Sequence, residues 1–163
     1  GKSEMRRMDA AAAIAILANE LCPELAIVLT AGNDFTMRHA TEQIQRVSGF
    51  ALMDRINEVT GRLGGGGIFL TQCLTAVEMK IREIGQQLHR LIVFTDEVDC
   101  DKKCNPDTAP AFATHNYIVN IASNNRGIAY GKFHHVNGWS ESILDYIAAI
   151  EGNPVLTEED PEQ

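Results

Sequence analysis

Arg90-Leu-Ile-Val-Phe-Thr-Asp-Glu-Val-Asp99 is an apolar run that ends in three carboxylates within four residues. Its four consecutive large apolar residues, two of them β-branched and bounded by charge on both sides, predict a strand buried on both faces of a parallel sheet. In such sheets ligands collect outside the carboxyl ends of the strands. Asp96 and Glu97 fall at that edge, and carboxylates held there by a rigid strand suit a hard divalent cation such as Mg²⁺. Acidic residues also gather wherever a strand meets solvent, so the run by itself leaves both readings open.

Outward from this run, helical and extended patterns alternate. Residues 8–21 predict a helix, from the alanines at 10–13, the spacing of Ile14, Leu17 and Leu21, and Asp9 in the first turn. Cys22-Pro23 ends it. A buried strand is expected at residues 25–30, a turn at 31–34, and an edge ribbon over 36–47, where no helical stripe is visible. Residues 50–63 read as helical, with Phe50, Met53, Ile56 and Leu63 on or near one face. The glycine run Gly64-Gly-Gly-Gly67 then opens a long amphipathic helix through Leu88. Beyond Asp99 come a polar loop with Cys104, Pro106 and Pro110, a strand at 117–121, an extended piece at 128–133 and a last helix over 140–150. Trp139 is expected to pack on the sheet and Ser140 to cap that helix. The alternation implies a three-layer α/β domain with a mostly parallel central sheet flanked by helices, over residues 1–152, followed by an acidic, disordered tail at 153–163.

The 163 residues suffice for one domain with a substantial core, and 45% are hydrophobic. With 22 acidic against 14 basic residues the formal charge is −8, the wrong sign for an autonomous nucleic-acid binder; DNA is not expected as a partner, and RNA would need a local patch or another domain. Arg6, Arg7, Arg38, Arg46, Arg55 and Arg62 could form such a patch, although scattered arginines in an acidic protein are usually just solvated. No apolar run approaches the ~20 residues that cross a bilayer. The amino-terminal stretch, interrupted by Asp9 and bounded by Asn19 and Glu20, lacks a signal-peptide layout, which predicts a cytoplasmic protein.

Several local patterns invite chemistry and fall short of it. The glycine run could expose backbone donors to a phosphate, but no Gly-Lys-Ser/Thr follows it and no strand precedes it, so a flexible helix entry is the better reading. Cys100 and Cys104 could share a zinc, yet His115, His134 and His135 stand at no recognised finger spacing. Cys22 and Cys73 read as small buried hydrophobes. Adjacent His134 and His135 on a strand point to opposite faces and do not easily share one ion. Nucleophilic catalysis by Cys100 or Ser140 lacks an identifiable base.

Four segments carry a resemblance: Gly-Lys-Ser-Glu-Met-Arg-Arg-Met-Asp-Ala-Ala-Ala-Ala (1–13), Gly-Gly-Ile-Phe-Leu-Thr-Gln-Cys-Leu (66–74), Val-Phe-Thr-Asp-Glu (93–97) and Asn-Gly-Trp-Ser-Glu (137–141). In this order they resemble the carboxy-terminal half of the Ro, or TROVE-module, ribonucleoproteins, with bacterial or phage members the most alike. That half is a von Willebrand factor A (vWA) domain, and the likeness runs over residues 1–152. The resemblance implies a non-catalytic interaction module of an RNA-binding ribonucleoprotein, with small non-coding RNA held mainly by a companion region.

A vWA domain holds its cation in a metal-ion-dependent adhesion site (MIDAS) made from Asp-x-Ser-x-Ser after the first strand, a Thr on a second loop and an Asp after a later strand. By this resemblance Asp96 fits the third position. The second falls on Ile68, which cannot ligate, and Thr71 is the nearby hydroxyl that could replace it. The first motif and its strand have no counterpart in the sequence, so a possible Mg²⁺ site would be incomplete. A missing central strand would leave rows of backbone donors and acceptors unpaired. The expectation is therefore a split protein, its strand supplied by a companion polypeptide. The alternative is a Mg²⁺-dependent hydrolase or phosphoryl-transfer enzyme using Asp96, Glu97 and Asp99, which is disfavoured because neither a phosphate-binding lysine nor a general base is evident.

Overall fold

The computed structural model describes residues 7–33, 38–63, 69–95, 106–121, 131–138 and 142–152. Their order is α1 (Arg7–Leu21), β1 (Ile27–Asn33), β2 (Arg38–Ile44), α2 (Ala51–Leu63), α3 (Leu70–Glu83), β3 (Arg90–Thr95), β4 (His115–Asn120), β5 (His134–Asn137) and α4 (Ile143–Ile150), with a 3-10 turn at Pro106–Thr108. The class is mixed α/β. No described helix is long and apolar enough to cross a membrane.

The strands form two sheets. β3, β4 and β5 are parallel, with Arg90 opposite His115, Thr95 opposite Asn120, and Asn120 opposite Asn137. β1 and β2 form an antiparallel ribbon from the Ile27–Ile44 pair to the Asn33–Arg38 pair. Among the described residues no strand joins β1 to β3.

The alternation of side chains along a strand separates two apolar layers on the parallel sheet. Leu91, Val93 and Ile118 pack with Leu70 and Leu74 of α3, Ala109 and Phe133. Ile92, Phe94, Tyr117 and Val119 pack with Ile14 of α1 and with Ile143 and Ile147 of α4. α1 also reaches the ribbon, since Ala12 joins Ile27, Leu29, Ile44 and the α2 residues Leu52, Ile56 and Val59. α3 does the same from its own side, where the Cys73 thiol lies beside Thr41 and Thr30 of the ribbon. Burial pushes that thiol above its ordinary pKa, so Cys73 is a packing residue. Two helices thus each touch both sheets and hold them side by side.

This arrangement corrects the expected burial of two strands. In β3, residues Arg90 to Phe94 are only half-buried and Thr95 alone is buried. β1 is likewise half-buried, with Val28 39% exposed. Helices pack on both faces of β3, and among the described residues β4 is its one hydrogen-bonded neighbour. The hydrogen-bond pattern identifies the groups on that edge. His115 and Ile121 donate their N–H groups to the carbonyls of His89 and Thr95. Because backbone groups alternate in direction along a strand, Leu91 and Val93 also face β4, and Ile92 and Phe94 turn their N–H and C=O groups away from it.

Other boundaries also move. α3 stops at Glu83 instead of reaching Leu88, because Gly85 takes φ 67° and closes a Schellman turn, with Gly85 N–H on Arg82 C=O at 3.1 Å and Gln86 N–H on Ile81 C=O at 3.2 Å. β1 continues through Ala31, Gly32 and Asn33, where a turn was expected. The last strand is His134–Asn137, beyond the expected 128–133, and α4 begins at Ile143 with Ser142 at its N-cap position. The buried stripes shift as well. α1 buries Ala10, Ala12 and Ile14 while Leu17 and Leu21 are exposed, because Ala12 packs with the ribbon and Ile14 with the parallel sheet. α2 buries Leu52, Ile56 and Val59, and Phe50 is 84% exposed just before its first turn. Cys22 is half-buried.

Candidate functional site

The carboxyl edge of the parallel sheet is where a ligand was expected, and it holds an unusual set of buried polar side chains. Thr95 and Asn120 end adjacent strands and are 5% and 1% exposed. α3 brings Thr71 to the same level. The helix has 14 residues, about 21 Å of rise, against six residues, about 20 Å, for β3. The short connection after Ile84 folds α3 back along β3, so its first turn stands beside the end of the strand. Thr71 is 6% exposed, and its Oγ1 is buried with no hydrogen-bond partner among the described residues. An orphaned hydroxyl of this kind costs about 1–3 kcal/mol, which is a reason to look for a ligand.

Asp96, Glu97 and Asp99, the glycine run with Ile68, Cys100 and Cys104, and Trp139 and Ser140 lie outside the described residues. Of the residues expected to form the metal site, Thr71 is the one described, and it offers a single neutral oxygen. Mg²⁺ binding requires carboxylates and near-octahedral oxygen geometry, and the described residues do not supply that set here.

A second polar cluster, not expected from the sequence, lies at the opposite, amino-terminal edge. Arg90 and His115 are cross-strand partners at the starts of β3 and β4, and Glu151 follows the end of α4. Arg90 donates from Nε to Glu151 Oε1 at 2.7 Å and from its second nitrogen to Oε2. The Tyr117 hydroxyl donates to Oε1 at 2.8 Å. The Glu151 side chain is 2% exposed. The Arg90 guanidinium, against the opposing cost of burial and with help from Tyr117, holds the Glu151 carboxyl down at about 2. Burial, then the same carboxylate, pushes the Tyr117 hydroxyl up to about 12. Arg90 is itself raised by its bonds to Glu151. His89 and His115 meet edge to face with centroids 5.1 Å apart, and His89 Nε2 lies 3.9 Å from Glu151 Oε2.

Three of the arginines considered for an RNA patch are committed within the chain. Arg46 binds the Asn19 and Cys22 carbonyls at 2.7 and 2.8 Å, and also that of Pro23, closing the carboxyl end of α1. Arg55 pairs with Glu58, and Arg62 with Glu42 and Glu58. His134 and His135 are exposed on β5, where His134 lies edge-on to Tyr117.

No family model, curated protein sequence or solved structure matches this chain.

Proposed function

We propose that this chain is a non-catalytic vWA-like interaction module of a Ro/TROVE-type RNA-binding ribonucleoprotein, acting in the cytoplasm. In this reading the two sheets are parts of one three-layer, Rossmann-like sheet, interrupted between β1 and β3. A companion polypeptide supplies the strand that fills the interruption, and small RNA is bound mainly by a companion region. The observation that carries the reading is the pair of half-buried strands, β1 and β3, that lie in different sheets yet share α1 and α3. An incoming strand would find helices already above and below it, and the N–H and C=O groups of Ile92 and Phe94 at its side.

A strand entering there would bring its own carboxyl end to the level of Thr71 and Thr95. Asp-x-Ser-x-Ser on that strand, together with Asp96 and the orphaned Thr71 hydroxyl, would give a cation the oxygen set that the described residues lack. The residues of this chain would then contribute a minor part of a Mg²⁺ site.

The test is reconstitution. A segment carrying an apolar six-residue strand followed by Asp-x-Ser-x-Ser is co-expressed with the chain. The expected result is a stoichiometric complex that unfolds cooperatively at a higher temperature than the chain alone, and that binds Mg²⁺ only when Asp96 is intact. A chain whose unfolding and Mg²⁺ binding are unchanged by the segment contradicts the proposal.

A further inference from the structure

The amino-terminal edge of the sheet contains a group of ligands unrelated to the proposed strand slot. One ligand atom from each of His89, His115 and Glu151 can be chosen so that all three lie within 4.8 Å of one another. The residues come from the connection before β3, the first position of β4 and the turn after α4, brought together where the parallel strands start and α4 ends.

We propose that His89, His115 and Glu151 form a binding site for a borderline divalent transition metal, of which Zn²⁺ is the representative. Two imidazoles and one carboxylate favour such an ion over Mg²⁺ or Ca²⁺, which take oxygen ligands. The three ligand atoms lie within 4.8 Å of one another and must draw together by up to about 1.5 Å to hold the ion. Zn–N and Zn–O bonds of about 2.0–2.2 Å place two ligand atoms about 3.3 Å apart in a tetrahedral site. His89 Nε2 and Glu151 Oε2 are 3.9 Å apart, and the His89 side chain, 68% exposed, has room to rotate the remainder.

The neighbouring Arg90 is the strongest objection, since a guanidinium repels a cation. Its hydrogen bonds answer part of it. Among the described residues, Glu151 Oε1 accepts from both Arg90 Nε and Tyr117, whereas Oε2 accepts from Arg90 alone and keeps one lone pair. A metal at that lone pair needs no existing bond to break, and Arg90 and Tyr117 then orient the ligating carboxylate from behind, as outer groups do in metal sites. With both imidazoles neutral, the guanidinium and carboxylate cancel, so the pocket is uncharged before the ion enters. Three protein ligands leave a fourth position for water or for a donor from a partner.

The test uses the full chain without a histidine tag, titrated with Zn²⁺ alone by calorimetry, with Co²⁺ absorption reporting the coordination. The expected result is one saturable ion per chain, a tetrahedral Co²⁺ spectrum and a rise in Tm with Zn²⁺. His89→Ala, at an exposed position that leaves the fold intact, and His115→Ala should each weaken binding by at least about 10-fold. The paired change His134→Ala with His135→Ala should leave it unaltered. Absence of saturable binding, binding that survives His89→Ala, or an equal loss on changing His134 and His135 would overturn the site.

Discussion

Replacing Arg90 with Met keeps the aliphatic stem and removes both guanidinium bonds from a carboxylate whose side chain is 2% exposed. Glu151 would keep the Tyr117 hydroxyl at 2.8 Å as its one direct donor among those described. The depression of its pKa from 4.5 to about 2 corresponds through linkage to about 3 kcal/mol of native-state preference for the carboxylate. Arg90 is the largest cause, but Tyr117 shares the effect and the Arg90 side chain is 30% exposed, so we expect a loss of about 2 kcal/mol at neutral pH. The sign follows from the lowered value. A carboxyl that titrates lower in the folded than in the unfolded chain contributes its stability above 4.5 and loses it as pH falls toward about 2. The penalty of Arg90→Met should therefore be full at pH 7 and much smaller near pH 3. Urea unfolding followed by far-ultraviolet circular dichroism measures it at both. Adding Glu151→Met to Arg90→Met should recover part of the loss, because the stranded charge is gone. A penalty below about 0.5 kcal/mol at pH 7, or one that is equal at both pH values, would refute the reasoning.

Two further perturbations bear on the two sheet edges. Thr71→Val replaces the orphaned hydroxyl with a methyl group and should leave the isolated chain as stable or more stable, by up to about 1 kcal/mol in urea unfolding, while lowering Mg²⁺ affinity in the reconstituted complex. Tyr117 titrates at about 12 when folded against an ordinary 10, so its contribution is present below pH 10 and lost between 10 and 12. An alkaline unfolding curve should show that loss in the parent chain and lack it in Tyr117→Phe.

What was legible in the sequence was local. The run ending at Thr95 and the strand near Tyr117 were found because short β-branched stretches between polar residues have few other uses, and β3 and β4 appear there within two residues. Helices α2 and α3 are legible from their one-sided apolar spacing, but the expected stripe of α2 includes Phe50, which precedes the helix and is 84% exposed. The burial of β1 and β3 was overestimated for a different reason. Apolar content reports what a strand can bury, whereas exposure here depends on whether a neighbour occupies its edge. Thr71 was reached only through the family resemblance, and its orphaned oxygen is a fact of packing. The Arg90–Tyr117–Glu151 group is not legible in the sequence because Arg90 and Glu151 are separated by 61 positions and meet where the carboxyl end of α4 returns to the start of β3. Placing the strands that begin near residues 90 and 115 side by side would have brought Arg90 to His115, but nothing local points to Glu151.

The interrupted sheet is tested most directly by amide hydrogen exchange on the isolated, monomeric chain, resolved residue by residue along β3. Leu91 and Val93, which face β4, should be protected, and Ile92 and Phe94, which face the interruption, should exchange far faster despite their apolar side chains. Adding a strand-bearing companion should slow Ile92 and Phe94 to the level of their neighbours. Equal protection of all four amides in the chain alone would mean that the edge is already paired, and would contradict a module that waits for a strand.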